Sequence, residues 1–363
     1  MKFEIVKAKF VESLKSVQNI VGSKTTSPIM QNAKIEAKGG KLEITTTDLD
    51  VSIDCVADCE VIEEGATTLP VKILSAAVAC SPDGVVRVDV DENEKASIVA
   101  GSAKFKLSGM PEKLFPRMPV SDEATEYTIQ QAVLKEMLRK TSYAVSQDET
   151  RRVLNGVYMR FQEQKLTMVA TDGRRLALVE KEVEYPQGAD SDVVLPTKAV
   201  QELQRALSSE GDVKIKLQNT QIRFSLGSVT IFSKIVDEPY PNYKQVIPPE
   251  CSQAISVDRQ QLITALERVG VMSNDLHSAK LTFFENVLLI SSSANDIGEA
   301  KDEVPVKYCG EQIDIIFNPS YILDALKAID DDEITFNLND GHSPAVIRCS
   351  IPFLYVIMPL RVG

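Results

Sequence analysis

The chain repeats one pattern of strands and helices three times, at a spacing of roughly 125 residues, with few identical residues among the copies. Short alternating strands end at Ile5, Ile129 and Val257, and Phe10, Leu134 and Leu262 follow five positions later. Leu14, Leu138 and Leu266 come four residues further on, and Val17, Thr141 and Val269 continue the stripe. A step of four places these side chains on one face of a helix. A second landmark is Lys41-Leu-Glu-Ile-Thr-Thr-Thr-Asp48, matched by Lys165-Leu-Thr-Met-Val-Ala-Thr-Asp172 and more loosely by Val287-Leu-Leu-Ile-Ser-Ser-Ser293, all alternating like strands. A third is Leu69-Pro-Val-Lys-Ile-Leu74, matched by Leu195-Pro-Thr-Lys-Ala-Val200 and Phe317-Asn-Pro-Ser-Tyr-Ile322, each opening a second helix near a proline. Asp83-Gly84, Glu210-Gly211 and Asp331-Asp332 follow as turns. Leu114-Phe-Pro-Arg-Met118 and Pro239-Tyr-Pro-Asn-Tyr243 close the first two copies, and the third ends on Tyr355-Val-Ile-Met-Pro-Leu-Arg361.

Each copy thus reads as strand, helix, several strands, helix and several strands, an α+β unit of ordinary domain length. The expected domains are 1–120, 121–248 and 249–363. Their boundaries fall in Met118-Pro-Val-Ser-Asp-Glu-Ala124 and Val246-Ile-Pro-Pro-Glu-Cys-Ser252, which carry proline and are too short to act as floppy linkers.

A hydrophobic content of 44% suffices for a core, and no apolar run is long enough to span a bilayer. No signal peptide is evident, so the expected location is cytoplasmic, with no membrane partner. The six cysteines are dispersed and there are only two histidines, His277 and His342, so no metal site and no cofactor are expected.

The net charge of −12 argues against a simple nucleic-acid-binding module. Its distribution is uneven. Lys7, Lys9, Lys15, Lys135, Arg139, Lys140, Arg259 and Arg268 recur on the first helix of each copy, and Lys72, Lys198, Arg205 and Lys327 on the second. Acidic residues crowd turns and strand ends, as at Asp89, Asp91, Glu92 and Glu94 and at Asp330, Asp331, Asp332 and Glu333. Solvation of helix faces is the plain explanation of such a pattern.

Catalytic motifs are scarce. No phosphate-cradling glycine loop, nucleophile elbow or His-Glu-x-x-His pair occurs. Thr171-Asp-Gly-Arg-Arg175 is the one segment that could pass for an active-site loop. An Asp-Gly between strands is more simply a hairpin turn, and Asp48-Leu-Asp50 at the equivalent place supports that reading. No catalytic residue is assigned.

Taken together, Val153-Leu-Asn-Gly156, Ala170-Thr-Asp-Gly-Arg-Arg-Leu176, Tyr240-Pro-Asn-Tyr243 and Val356-Ile-Met-Pro-Leu-Arg361 resemble the bacterial sliding clamps, the beta subunits of DNA polymerase III. The resemblance runs from Met1 to Arg361. It implies three repeated domains of the DNA-clamp type, with helices lining the inside and sheets the outside of a head-to-tail dimeric ring. It also implies a non-catalytic processivity factor whose ring slides on duplex DNA without sequence preference. Lysines and arginines of the inner helices would then centre the phosphate backbone.

By the same resemblance, the residues near DNA are Lys24, Lys72, Arg151, Arg152, Lys198 and Arg205; some relatives carry aromatic residues where this chain has Arg152 and Val153. The dimer seam is expected between edge strands, with Lys104 and Lys106 facing Glu299 or Glu303 and with Val271 and Met272 packed beside them. A partner-peptide groove is implied between domains two and three. Leu154, Thr171, Gly173, Arg174, Arg175, Leu176, Pro241 and Val246 come from one side, and Asn318, Tyr321, Val356, Met358, Pro359, Leu360 and Arg361 from the other. Leu154, Leu176, Val246, Val356 and Met358 would bury leucine or phenylalanine, while Arg151 and Arg175 orient the peptide. The implied partners are the replicative DNA polymerase, a clamp-loader complex and other clamp-binding-motif proteins such as repair polymerases.

Two other classes stay open on residues alone. A hydrolase or transferase would have to use Asp172, Arg174 and Arg175. A peptide-binding scaffold that never encircles DNA would have the groove without the basic lumen or the closed dimer.

Overall fold

The computed structural model describes residues 1–22, 27–116, 124–272, 278–294, 298–349 and 352–360. Lys24 and Arg361 lie outside the described residues. The chain forms two compact units, residues 1–134 with 198–235 and residues 135–197 with 236–363. The division runs through the second repeat because neighbouring repeats share sheets. In the first unit, strand Val51–Asp58 pairs antiparallel with Val229–Lys234. In the second, Arg175–Glu182 pairs in the same way with Phe353–Ile357.

Among the described residues the first unit holds two sheets. One has five strands, in the order Glu60–Glu63, Lys2–Val6, Val85–Val90, Lys95–Ala100 and Ala103–Ser108. The other has eight: Thr125–Gln130, Asp212–Leu217, Gln221–Leu226, Val229–Lys234, Val51–Asp58, Lys41–Thr47, Asn32–Lys38 and Gly65–Pro70. The second unit is built on a twelve-stranded array, whose first half runs Ser191–Pro196, Gly156–Gln162, Lys165–Thr171, Arg175–Glu182, Phe353–Ile357 and Ala345–Arg348. It continues through Glu333–Leu338, Gln253–Asp258, Gly298–Lys307, Val287–Ala294 and Ala279–Phe284 to Ile313–Phe317.

Among the described residues, six α-helices recur in pairs: α1 (Lys7–Val17), α2 (Val71–Ala79), α3 (Gln131–Thr141), α4 (Thr197–Ala206), α5 (Arg259–Gly270) and α6 (Pro319–Ala328). The stripe read from the repeat is their buried face. Phe10, Leu14 and Val17 in α1, Leu134 and Leu138 in α3, and Leu262, Leu266 and Val269 in α5 are all buried. Each such side chain contributes about 1.5–3 kcal/mol relative to exposure, which makes the stripe the main tie between helix and sheet. Capping sharpens two starts: Asp258 accepts from Gln261 N at 2.8 Å, and Asn318 from Ser320 N at 2.9 Å. Pro70 and Pro196 lie just before α2 and α4, while Pro319 opens α6.

Candidate functional site

The segment Thr171–Arg175 is a hairpin turn, not a catalytic loop. Asp172 Oδ1 accepts from Arg174 N at 2.8 Å and Arg175 N at 3.0 Å, and Thr171 Oγ1 accepts from Gly173 N at 3.1 Å. Gly173 sits at φ +88°, where a side chain would be strained. Arg175 is then drawn inward. Its Nε donates to Asp172 Oδ2 at 3.1 Å, Nη1 to Asp324 Oδ2 at 2.6 Å and Nη2 to Tyr143 O at 2.7 Å, while the guanidinium lies 4.4 Å from the centre of the Tyr321 ring. Burial works against its charge, but Tyr355, Asp324 and Asp172 outweigh that and hold the guanidinium above its ordinary value.

Three of the Arg175 N–H groups thus donate within the protein, and the side chain braces the turn. Arg151 keeps an exposed side chain, 3.7 Å from Asp148 Oδ2, and a Cβ added at Gly173 would come within 3.3 Å of Arg151 Nη1. Tyr143 and Asp324 were not foreseen. Asp324 lies three residues after Tyr321 on α6, a helical spacing that could have linked the two.

The opposite wall comes from the end of the chain. Pairing of Leu176 with Val356 is continued by Met358 N donating to Arg174 O at 2.9 Å and Leu360 N to Ile316 O at 2.7 Å. Tyr355 Oη donates to Tyr321 O at 2.8 Å, tying the last strand to α6. Met358, Pro359, Leu360, Asn318 and Tyr321 are thus brought to one edge with the turn.

The floor is a buried cluster of Tyr158, Val169, Leu176, Val194, Tyr243, Val346, Leu354 and Val356, against which Val153, Tyr240 and Ile247 pack. Leu176 and Val356 belong to this core at 2% and 1% exposure. The apolar side chains left accessible are Val246 at 47% and Met358 at 40%. Leu154, at the end of the short turn Arg152–Leu154, is half-buried, and Pro241 is exposed.

The cations are less free than their positions suggest. Among the DNA-facing candidates, Lys198 pairs with Asp48 and Arg205 with Glu202, whereas Lys72 and Arg152 are exposed. Glu202 is buried, and that burial raises its carboxyl above the usual range despite Arg205 and Lys198. Lys140 is fully buried with Nζ 2.6 Å from Glu136, so it presents no surface charge. Arg139 pairs with Asp330, Lys7 with Asp83 and Arg268 with Asp302. In the first unit, Lys9, Lys15, Lys41 and Arg205 line a cavity of about 840 Å³ between α1, α4 and strand Val51–Asp58.

The seam candidates occupy strand edges. Ala103–Ser108 is the outermost strand of the five-stranded sheet, with Lys104 and Lys106 exposed and Phe105 and Leu107 half-buried. Gly298–Lys307 pairs with Gln253–Asp258 only through Val306 and Lys307, so the part bearing Glu299 and Glu303 has one unpaired side among the described residues. Glu299 is 3.2 Å from Lys301, and Val271 is 79% exposed.

Among the described residues no group of three or more His, Cys, Asp or Glu is placed to hold a metal ion, and no helix is long and apolar enough to cross a membrane. Three family models match in succession: the N-terminal domain of the DNA polymerase III beta subunit at residues 1–119, its central domain at 128–242 and its C-terminal domain at 244–361. The chain belongs to the DNA polymerase III beta subunit family. The beta sliding clamp of Chlamydia muridarum is 33% identical over 362 residues, covering 99% of both chains. That of Pseudomonas aeruginosa is 32% identical, over 99% of this chain and 100% of the relative. A solved clamp from Bartonella birtlesii, bound to griselimycin, is 37% identical with a TM-score of 0.96 and full coverage of both chains. Members of the beta subunit family are non-catalytic processivity factors of DNA replication.

Proposed function

We propose that this chain is the cytoplasmic processivity clamp of a bacterial replicative DNA polymerase. It works as a head-to-tail dimeric ring that encircles duplex DNA, with domains close to 1–120, 121–248 and 249–363. The observation that carries the reading is the family match to all three domains along the whole chain. Exposed cations such as Lys72, Arg151 and Arg152, together with Lys24, attract the phosphate backbone. The partly paired Lys198 and Arg205 add weaker, solvated contacts. Weak contacts suit sliding, because retention on DNA is then topological. The unpaired side of the Glu299–Glu303 stretch and the edge strand bearing Lys104 and Lys106 supply a seam of opposite charge. The edge formed by Arg174, Val246, Met358 and Leu360 takes a short, partly apolar peptide from the polymerase, the clamp loader or repair polymerases. A relative bound to griselimycin supports a ligand site in this fold.

The test is retention on nicked circular DNA after loading with a bacterial clamp loader and ATP. Protein that stays on the intact circle in high salt and leaves when the circle is cut is a closed, sliding ring. Equal retention on circle and linear DNA would mean direct binding and overturn the reading.

A further inference from the structure

The two compact units repeat one another at the strand pair that joins their repeats. Lys234 N donates to Asp50 O at 2.8 Å in the first unit, as Met358 N does to Arg174 O at 2.9 Å in the second. The adjoining turns match bond for bond. Asp48 Oδ1 accepts from Asp50 N at 3.1 Å and Val51 N at 2.8 Å, and Leu49 takes the left-handed conformation of Gly173 with φ +80°. The registers then set Ser52 where the second unit has Leu176, and Asp54 where it has Leu178. They likewise set Phe232 for Val356 and Arg223 for Val346.

We infer that this strand pair is a second copy of the peptide groove, closed to apolar peptides by its own residues. Each chain then takes one peptide, and Ser52, Asp54, Arg223 and Lys234 decide which copy it enters. The inference rests on the peptide-groove reading given above.

The physical reason is an inverted floor. The second unit offers leucine and valine, and the first a hydroxyl, a carboxyl and a guanidinium. Arg223 lies 5.1 Å from the centre of the Phe232 ring, and its Nε is buried without a hydrogen-bond partner. Arg223 as a whole is only half-buried, so covering it with a leucine side chain would deny water to its remaining N–H groups as well, and a buried donor left unsatisfied is costly. Asp54 would lose solvent in the same way, and burial already pushes its carboxyl up to about 6. The rim is inverted too. Met358 is exposed and can repack around a ligand, but Lys234 is held 3.0 Å from Asp50 Oδ1 as a hydrated point charge. Leu49 projects a half-exposed side chain where Gly173 has none.

Native mass spectrometry of the full chain with a synthetic peptide carrying leucine and phenylalanine counts the sites, and a photoreactive version of the peptide locates them. The unaltered chain is expected to take one peptide, with crosslinks confined to the second unit. Val246→Glu with Met358→Glu should remove it. In that background Ser52→Leu, Asp54→Leu, Arg223→Val and Lys234→Met should restore one peptide, now crosslinked to the first unit. A folded graft, judged by unchanged circular dichroism and native mass, that takes no peptide overturns the inference. So do two peptides on the unaltered chain. Should the graft not fold, the crosslink map of the unaltered chain still decides, because labelling at Leu49 or Phe232 overturns the proposal and labelling only in the second unit upholds it. No binding to the unaltered chain would instead remove the groove reading, and this inference with it.

Discussion

Arg175 and Asp324, 149 residues apart in sequence, meet at 2.6 Å and join the turn of the second repeat to helix α6 of the third. The Arg175 side chain is 9% exposed and that of Asp324 42%. Replacing Arg175 by methionine leaves the Tyr143 carbonyl without its donor and the Asp324 carboxylate without its cation. Because Asp324 can rehydrate, the cost falls below that of a fully buried pair, at about 2 kcal/mol. Urea unfolding should show a lower midpoint at unchanged slope. Peptide affinity should fall as well, since the turn carrying Arg174 loses its brace.

Met358 tests the other wall. Its backbone N–H is fixed to Arg174 O while its side chain is 40% exposed, so truncating the side chain removes contact area without breaking the sheet. Met358→Ala is expected to weaken a clamp-binding peptide roughly thirtyfold, about 2 kcal/mol. Removal of residues 358–363 should abolish binding while the native mass remains that of a dimer. Calorimetry that returned unaltered affinity for both variants would exclude this edge as the groove.

Much of this arrangement was legible before any coordinates. Period-four spacing marked Phe10 and Leu14, Leu134 and Leu138, and Leu262 and Leu266, because one helix face must be apolar to meet a sheet. The Asp172-Gly173 turn was legible because its chemistry is local. The surroundings of Arg175, Lys140 and Val356 were not legible, for one common reason: how far a charge or an apolar group is covered depends on partners supplied by other segments. Lys140 is fully buried with its Nζ on Glu136 one turn back, although it stands among the basic residues of its helix. Val356 alternates in sequence like any half-buried strand residue, yet both faces of its strand are covered. The sharing of sheets between repeats was not readable either, since strand order is a long-range property.

The seam is testable by charge. Lys104 and Lys106 project from one exposed face of an edge strand, and Glu299 and Glu303 stand on the unpaired part of another. Reversing both lysines to glutamate places like charges opposite one another, while the monomer loses little because both side chains are exposed. The native mass should move from two chains toward one at micromolar concentration, and 0.5 M salt should partly restore the dimer by screening the new repulsion. A dimer unaffected by the reversal would place the seam elsewhere.

Asp54 gives the chain a pH-dependent weakness. Desolvation by burial pushes its carboxyl up to about 6, only partly offset by the Thr45 hydroxyl and by Arg223, with Glu43 adding to the rise. An acid whose folded value is raised binds its proton more tightly in the folded state. Its contribution is therefore complete below the ordinary aspartate value near 4 and is lost as pH rises through about 6. Above that range the fold carries a buried carboxylate at a cost of about 3 kcal/mol. Asp54→Asn removes the charge at every pH. Its urea midpoint should exceed that of the unaltered chain at pH 7.5, and the advantage should shrink as pH falls to 4.5 and disappear only below the ordinary aspartate value near 4. An advantage that stayed constant between the two pH values would show that the carboxyl titrates alike in folded and unfolded chains.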